Sequence, residues 1–548
     1  MKMVRSLLFG SAAGFVAVAG AQAADLPVKA APVEYVRICT LYGAGFYYLP
    51  GTDICVKHGA YVRSQWYYGA GAAPTNGPFI GASAQNTLLA NTPNQLVSRA
   101  RSIYTLDART QTEYGTLRGY VLIGFTQDWP GVSLGAVGAT LYATRGFIQF
   151  AGFTVGKATS FYDIWSSAAV SYLTVNSSDT GDAGQILAAY TFQFGNGFSA
   201  TIAAEDPRRH AVVNTSITVP AGITLFNVGA NPALTQLENT NIRWPDIVGN
   251  LRVDQAWGSI QVMGAVHDTG AAYFVNGVGV NCNITAIGGT LTGQLACGRA
   301  DDDVGFAVGA GFILRVPMWT GLTDIFSAQV NYTEGALRYA AVTRPGAGSP
   351  GFFSGTDFGS CASVPPVIAG VGPGVGLNTP TCLGSLGLGL WTDAIYANPG
   401  ALFGYDGSIQ KTTVWGVNAS WDHLWTPALK TSVYGSYIKT EYNDTARLLF
   451  NIATCGTNGT AANTVTRIGL VNCDPDFTYW QVGSRTQWNI TPSFYVGFDV
   501  MYERLETAFA GTGFFTAAGG LPRPTGNYEI ADQDAVGGTV RIHWDILP

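Results

Sequence analysis

The sequence predicts an all-β fold: a transmembrane antiparallel β-barrel of about 16 strands, with short turns at one end and long loops at the other. Three observations predict it. The first is composition: 70 of 548 residues are glycine and 12% are aromatic, but only 12% are charged. Ordinary chains carry about 7% glycine and about 25% charge. The second is that mean hydropathy is +0.17, yet after residue 20 no apolar run reaches the roughly 18 residues that a helical span needs. Disorder is excluded as well, because disordered chains are poor in aromatics and rich in charge. The third is a hydrophobic period of two, repeated along nearly the whole chain.

The elements follow in order. Lys2 and Arg5, the apolar stretch Leu7 to Ala19, and Ala21-Gln22-Ala23 make residues 1–23 a signal peptide for export. Its removal takes away two of 29 basic residues, against 35 acidic ones, and moves the net charge from −6 to about −8. Residues 24–53 are a segment ahead of the first strand, on the periplasmic side, and 54–548 are the barrel. No basic tail or cluster suits a nucleic acid.

Strands are expected at 54–69, 97–114, 116–128, 141–150, 152–157, 185–194, 198–205 and 246–256. They continue at 259–268, 303–315, 324–335, 411–422, 429–442, 477–489, 493–507 and 535–547. In the second, Arg99, Arg101, Thr105, Asp107 and Arg109 share one parity, and Ala100, Tyr104, Leu106 and Ala108 the other. Near the end, Phe494, Val496, Phe498 and Val500 alternate with Tyr495, Gly497, Asp499 and Met501. In the last strand, Val540, Ile542 and Trp544 alternate with Arg541, His543 and Asp545. Turns such as Gly195-Asn196-Gly197 and Trp257-Gly258 alternate with long Gly/Thr/Asn-rich segments, which fits short periplasmic turns and long extracellular loops. Trp257, Trp319, Trp425 and Trp488 sit at or beside short turns, where an interfacial girdle belongs. A barrel of about 16–18 strands encloses an aqueous channel.

The eight cysteines form four local couples: Cys39/Cys55, Cys282/Cys297, Cys361/Cys382 and Cys455/Cys473. Short loop closure favours local disulfides, each closing roughly 15–20 residues and contributing about 3 kcal/mol. No CxxC spacing suggests zinc. The first couple ties the leading segment to the start of the first strand, and the other three stiffen long loops.

The stretch Ala24–Arg63, ADLPVKAAPVEYVRICTLYGAGFYYLPGTDICVKHGAYVR, resembles the start of alpha-proteobacterial outer-membrane porins in ADLPVKA, VEYVR-C and GAGFYY-PGTD-C. The resemblance implies a homotrimer in the outer membrane, surrounded by lipid and lipopolysaccharide, that passes ions and small hydrophilic solutes passively. It also implies that the third long loop folds into the barrel as a constriction. Here that loop follows Phe153-Thr154-Val155-Gly156-Lys157. The ending Trp544-Asp545-Ile546-Leu547-Pro548 departs from the terminal aromatic usual in such barrels.

Candidate constriction residues follow from parity and loop. Arg63, Arg99, Arg101 and Arg145 lie on the polar parity, and Asp163, Asp179 and Asp182 lie on the third loop. A basic wall facing an acidic loop sets a field across the pore. Arg109 and Arg118 share the parity but lie low on their strands.

Catalytic signals are sparse. His58, His210, His267, His423 and His543 show no paired ligand spacing, and no GxSxG occurs. Asp301-Asp302-Asp303 reads as a solvated mouth before a calcium site. Asp499 and Glu503 share a strand face, but a water-filled lumen leaves both in solvent. No cofactor, metal or enzymatic activity is expected. The alternatives are a substrate-specific channel, which needs an aromatic track that Tyr61, Tyr67 and Tyr495 are too scattered to supply, or an adhesive surface barrel.

Overall fold

The computed structural model describes residues 37–69, 96–129, 140–178, 180, 184–208, 212–214, 243–272, 274–275, 297–318, 321–341, 382–387, 389, 391–397, 405–450, 470–472, 474–515 and 526–547. Two units divide the chain after Val56.

In the first unit, Cys39 and Cys55 form a disulfide with their Cα atoms 6.0 Å apart. Tyr47–Tyr48 pairs antiparallel with Cys55 and Val56. The two cysteines and Phe46 are buried together, with Tyr42 and Tyr48 packed against them.

Of the four expected disulfides, Cys39–Cys55 is the one found among the described residues. Cys282, Cys361, Cys455 and Cys473 lie outside those residues. Their expected partners Cys297 and Cys382 are placed by backbone alone. Cys297 begins the short strand Cys297–Gly298, opposite Phe274–Val275, and Cys382 begins the strand Cys382–Leu386. The couples Cys282/Cys297, Cys361/Cys382 and Cys455/Cys473 therefore lie wholly or partly outside the described residues.

The second unit is a closed barrel. Its strands are β1 (Cys55–Gly69, which starts in the first unit), β2 (Leu96–Thr112), β3 (Gly115–Trp129) and β4 (Thr140–Phe150). β5 (Phe153–Ala158), β6 (Gln185–Gly195), β7 (Phe198–Glu205) and β8 (Asp246–Gln255) follow. Then come β9 (Gly258–Asp268), β10 (Val304–Pro317), β11 (Thr323–Glu334) and β12 (Gln410–Leu424). The last are β13 (Leu429–Tyr442), β14 (Phe477–Thr491), β15 (Phe494–Glu506) and β16 (Gln533–Leu547). Each pairs antiparallel with the next, and β16 closes on β1 in a register that sets Arg63 opposite His543 and Gln65 opposite Arg541. All sixteen expected strands are present, with no end displaced by more than two residues.

Local chemistry explains the ends. Between β6 and β7 the two-residue turn Asn196-Gly197 has φ of 52° and 79°, the left-handed pair that matches the twist of a tight hairpin. Along the strands, burial alternates with the pleat. Phe498 and Trp544 are exposed on the outer face, whereas their neighbours Asp499 and His543 are buried on the inner one. So broad an exposed apolar band suits lipid and not water. Trp257, Trp425 and Trp488 are exposed beside short turns, and Trp319 lies outside the described residues. Small additions break the purely antiparallel pattern: Val212–Asn214 pairs parallel with Ala394–Tyr396, and Cys382–Leu386 pairs parallel with Gly526–Ile530.

Candidate functional site

A barrel this wide encloses water unless something enters it. Residues 159–178, between β5 and β6, enter it. Asn250 Nδ2 on β8 donates to the Phe161 carbonyl at 2.6 Å, and Gln261 Nε2 on β9 donates to the Phe161 and Tyr162 carbonyls, both at 3.1 Å. Gln329 Oε1 on β11 accepts the Ile164 and Trp165 amides at 3.2 and 3.1 Å. Trp165 Nε1 donates to Ser420 Oγ on β12 at 3.0 Å. After one helical turn, Ser167–Val170, Asp499 on β15 accepts the Tyr172 amide at 2.5 Å and the Ser171 hydroxyl at 2.9 Å. Gln481 on β14 accepts the Asn176 amide at 2.6 Å. All these strand residues are on the buried, inner parity, so the segment crosses the lumen from β8 to β15. Each such bond contributes about 1 kcal/mol net, and bonds to a carboxylate contribute more.

Packing reinforces the bonds. Tyr162 and Ile164 pack with Val248, Met263, Ala265 and Ala307 of the inner wall, and Trp165 and Val170 pack with Tyr434 and Met501. Glycine opens the necessary room: a Cβ at Gly497 would lie 2.2 Å from the Tyr172 hydroxyl, and one at Gly311 would lie 2.5 Å from Ile164 Cγ2.

Arg208, just beyond β7, clamps both ends of the segment. Its guanidinium donates to the Ser178 carbonyl at 2.6 Å, to Ser160 Oγ at 2.8 Å and to Asp163 Oδ1 at 3.0 Å. The side chains of the Arg208–Asp163 pair are 1% and 2% exposed. Burial alone lowers the Arg208 pKa, but Asp163, Tyr339 and Glu205 outweigh it and hold the group above the ordinary arginine value. Asp163, expected to face the arginines across the gap, is instead shut into this pair and also accepts from the Ser178 hydroxyl and the Thr180 amide. Nothing in sequence linked the two residues. Asp179 and Asp182 lie outside the described residues.

The arginines occupy the other wall. Arg63, Arg99, Arg101 and Arg145 lie on the inner side of β1, β2 and β4. Arg99 forks onto Asp128 at 2.6 and 2.9 Å. Arg101 donates to Thr126 Oγ1 at 2.9 Å and lies 4.0 Å over the Tyr142 ring. Arg63 donates to His543 Nδ1 at 3.4 Å and lies 4.8 Å over Tyr61. A bulge between β3 and β4 opposite Leu122–Ile123 re-aims the chain, so that both Thr144 and Arg145 line the gap. Arg145 then reaches Thr159 Oγ1, where the inserted segment begins, at 3.0 Å. The gap is a cavity of about 300 Å³ lined by Tyr61, Arg118, Tyr120, Leu122, Tyr142, Thr144, Arg145 and Phe147.

Three arginines outside the candidate constriction set also reach the lumen. Arg118 sits low on β3, as expected, but it lines this cavity and shares Asp107 with Arg109. Arg485 and Arg541 lie 5.1 and 3.8 Å over the Tyr172 ring. Their polar parity was the available signal. Asp499 and Glu503, expected in open water, are fully buried, and the inserted segment covers Asp499. Glu503 accepts from Tyr479 Oη at 2.6 Å and from Gln481 Nε2 at 2.8 Å. Asp302 is paired with Arg243 and Arg299. Among the described residues no His/Cys/Asp/Glu group is arranged to hold a metal.

A profile described as a porin subfamily matches residues 25–539. Porin Omp2b of Brucella melitensis biotype 1 is 30% identical over 266 residues, covering 47% of this chain and 64% of its own. Porin Omp2a of Brucella ovis is 29% identical over 274 residues, covering 47% and 68%. The chain thus spans less than two thirds of the Omp2b length. The outer membrane channel DcaP of Acinetobacter baumannii aligns with 91% of this chain and 99% of its own, at a TM-score of 0.49 and 12% identity.

Proposed function

The chain belongs to the porin family, and we propose that it is an open channel of the bacterial outer membrane through which ions and small hydrophilic solutes diffuse passively. The observation that carries this reading is the unequal lumen. One wall is covered by an inserted segment, and the other keeps a basic cavity of about 300 Å³.

Arg63, Arg99, Arg101 and Arg145 form the charged wall of the constriction in this reading, with Arg118 added. Two unit charges about 8 Å apart in water interact by only about 0.5 kcal/mol. Selection therefore comes from several groups acting together. The same reading takes residues 1–23 as a cleaved signal peptide, 24–53 as a periplasmic-side segment and 54–548 as the barrel. It also includes a homotrimer embedded in lipid and lipopolysaccharide, loops stiffened by the couples Cys282/Cys297, Cys361/Cys382 and Cys455/Cys473, and transport without catalysis.

The test is conductance of the purified, detergent-folded protein in a planar bilayer. Large steps, often in threes, are expected. A barrel that migrates in the heat-modifiable manner of folded barrels but leaves bilayers silent would overturn the reading in favour of an adhesive surface barrel.

A further inference from the structure

The open wall carries more aromatic surface than a merely polar pore requires. Tyr120 and Phe147 stack with centroids 5.3 Å apart and planes 22° apart. Tyr61 lies 4.7 Å from His543, which stacks on Tyr495 at 4.7 Å and 15°. Tyr172 of the inserted segment follows Tyr495 at 6.3 Å and 17°. The two stacks meet at the cavity, because Tyr61, Tyr120 and Phe147 all line it. The rings that seemed scattered in sequence are one track in space.

A guanidinium accompanies each part of the track. Arg118 lies 5.3 Å from the Tyr120 ring and 5.4 Å from the Phe147 ring, and Arg63 lies 4.8 Å from Tyr61. The nearby carboxylates are Asp107, shared by Arg109 and Arg118, Asp545, which pairs with His543, and Asp499, which accepts the Tyr172 amide. Arg63, Arg145 and Arg541 add to Arg109 and Arg118, so the track is net positive. Guanidinium groups on ring faces keep their charge.

We infer that this track is a binding subsite for small, flat organic anions, of which an aromatic carboxylate is the type. Arg118 gives Nε and Nη2 to Asp107 and Nη1 to Gln149, and Arg145 gives Nη1 to the Thr144 carbonyl and Nη2 to Thr159, so what the two offer a carboxylate is positive charge at the cavity lining. The flat body lies against Tyr61, Tyr120 and Phe147. A chloride ion would use the arginines alone and leave the rings idle. A sugar would want carboxylates and amides at the ring edges, where this wall offers cations. The inference deepens the channel reading and rests on it. Occupancy must also be weak, since a solute that enters has to leave.

The test uses the full-length barrel in a planar bilayer in potassium chloride, with benzoate, cyclohexanecarboxylate or acetate added. Benzoate and cyclohexanecarboxylate match in charge and nearly in size, but only benzoate is flat and aromatic. Benzoate is expected to reduce the chloride current saturably, at about a five-fold lower concentration than cyclohexanecarboxylate, as one aromatic contact supplies. Tyr120→Leu and, independently, Phe147→Leu should each erase that difference, while Arg145→Gln should weaken both carboxylates alike. Equal block by benzoate and cyclohexanecarboxylate in the unaltered protein would overturn the inference and leave the channel standing. Silent bilayers from a correctly folded barrel would instead remove the channel reading itself.

Discussion

The two sides of the lumen are built on the same alternating strands and use their inner positions in opposite ways. From β8 to β15 those positions carry short or neutral polar groups, and Asn250, Gln261, Gln329, Gln481 and Asp499 give their polar atoms to the backbone of the inserted segment. From β16 round to β4 they carry long cations and rings, of which Tyr61, Arg118, Tyr120, Tyr142, Arg145 and Phe147 line a cavity while Arg99, Arg101 and Arg541 are buried. One side is filled by chain and the other keeps a cavity. The pleat decides which residues point inward, but the length and charge of those residues decide whether chain or water fills the space. Arg485 on β14, one of the cations on the covered side with Arg252 on β8 and Lys430 on β13, is held by Asp422 at 3.5 Å and Ser432 at 2.7 Å.

The contrast is broken most severely at the clamp. Arg208→Ala leaves Asp163 buried without its cation, a loss of about 3–5 kcal/mol. The inserted segment should detach, and single-channel conductance should rise. An unchanged conductance would mean that packing of Tyr162 and Trp165 alone keeps the segment in place.

A smaller break comes at Asp499→Asn, which weakens charge-assisted bonds to Tyr172, Ser171 and Tyr434 worth about 1.5–3 kcal/mol in total effect. Brief excursions to a larger conductance are expected in single-channel records; steady, quiet steps would show that the anchor is dispensable.

Paired glycine substitutions sharpen the difference between the sides. Gly497→Ala drives a methyl into Tyr172 and should cost about 1–3 kcal/mol, whereas at Gly537, on the inner parity of β16, nothing lies within 4 Å of an added Cβ. Denaturation midpoints should therefore fall for the first substitution and stay put for the second. Equal midpoints would contradict the close fit of segment to wall.

The smallest effect is electrostatic. Arg145→Glu changes the wall by two charges, about 1 kcal/mol across a gap of about 8 Å of water. The reversal potential under a salt gradient should move toward cations with folding unaffected. No movement would remove Arg145 from the constriction.

The barrel was legible because a period of two survives every loop, and because turns such as Asn196-Gly197 advertise a backbone that few other residues adopt. The inner parity of Arg63, Arg99 and Arg101 was legible for the same reason. What covers an inner position was not. Asp499 and Glu503 read as solvated because their strand is polar on that face; Asp499 is covered by a segment more than 300 residues earlier, with Tyr172 at a separation of 327, and Glu503 is held by Tyr479 and Gln481. Asp163 looked free because its counter-ion, Arg208, stands 45 residues away on the far side of a hairpin. The aromatic track failed to show for a related reason: Tyr495 and His543 face each other across β15 and β16, and Tyr61 joins them only when β16 closes on β1.

That long separation has a consequence for assembly. The inserted segment leaves the export machinery before most of the wall it leans on exists, because Gln329, Ser420, Gln481 and Asp499 all follow it in the chain. Trp165 waits for Ser420 across 255 residues and Tyr172 for Asp499 across 327. Contacts so distant in sequence form late. The aperture therefore acquires its final bore at the end of folding, and a barrel caught midway would be wider and leakier than the finished one.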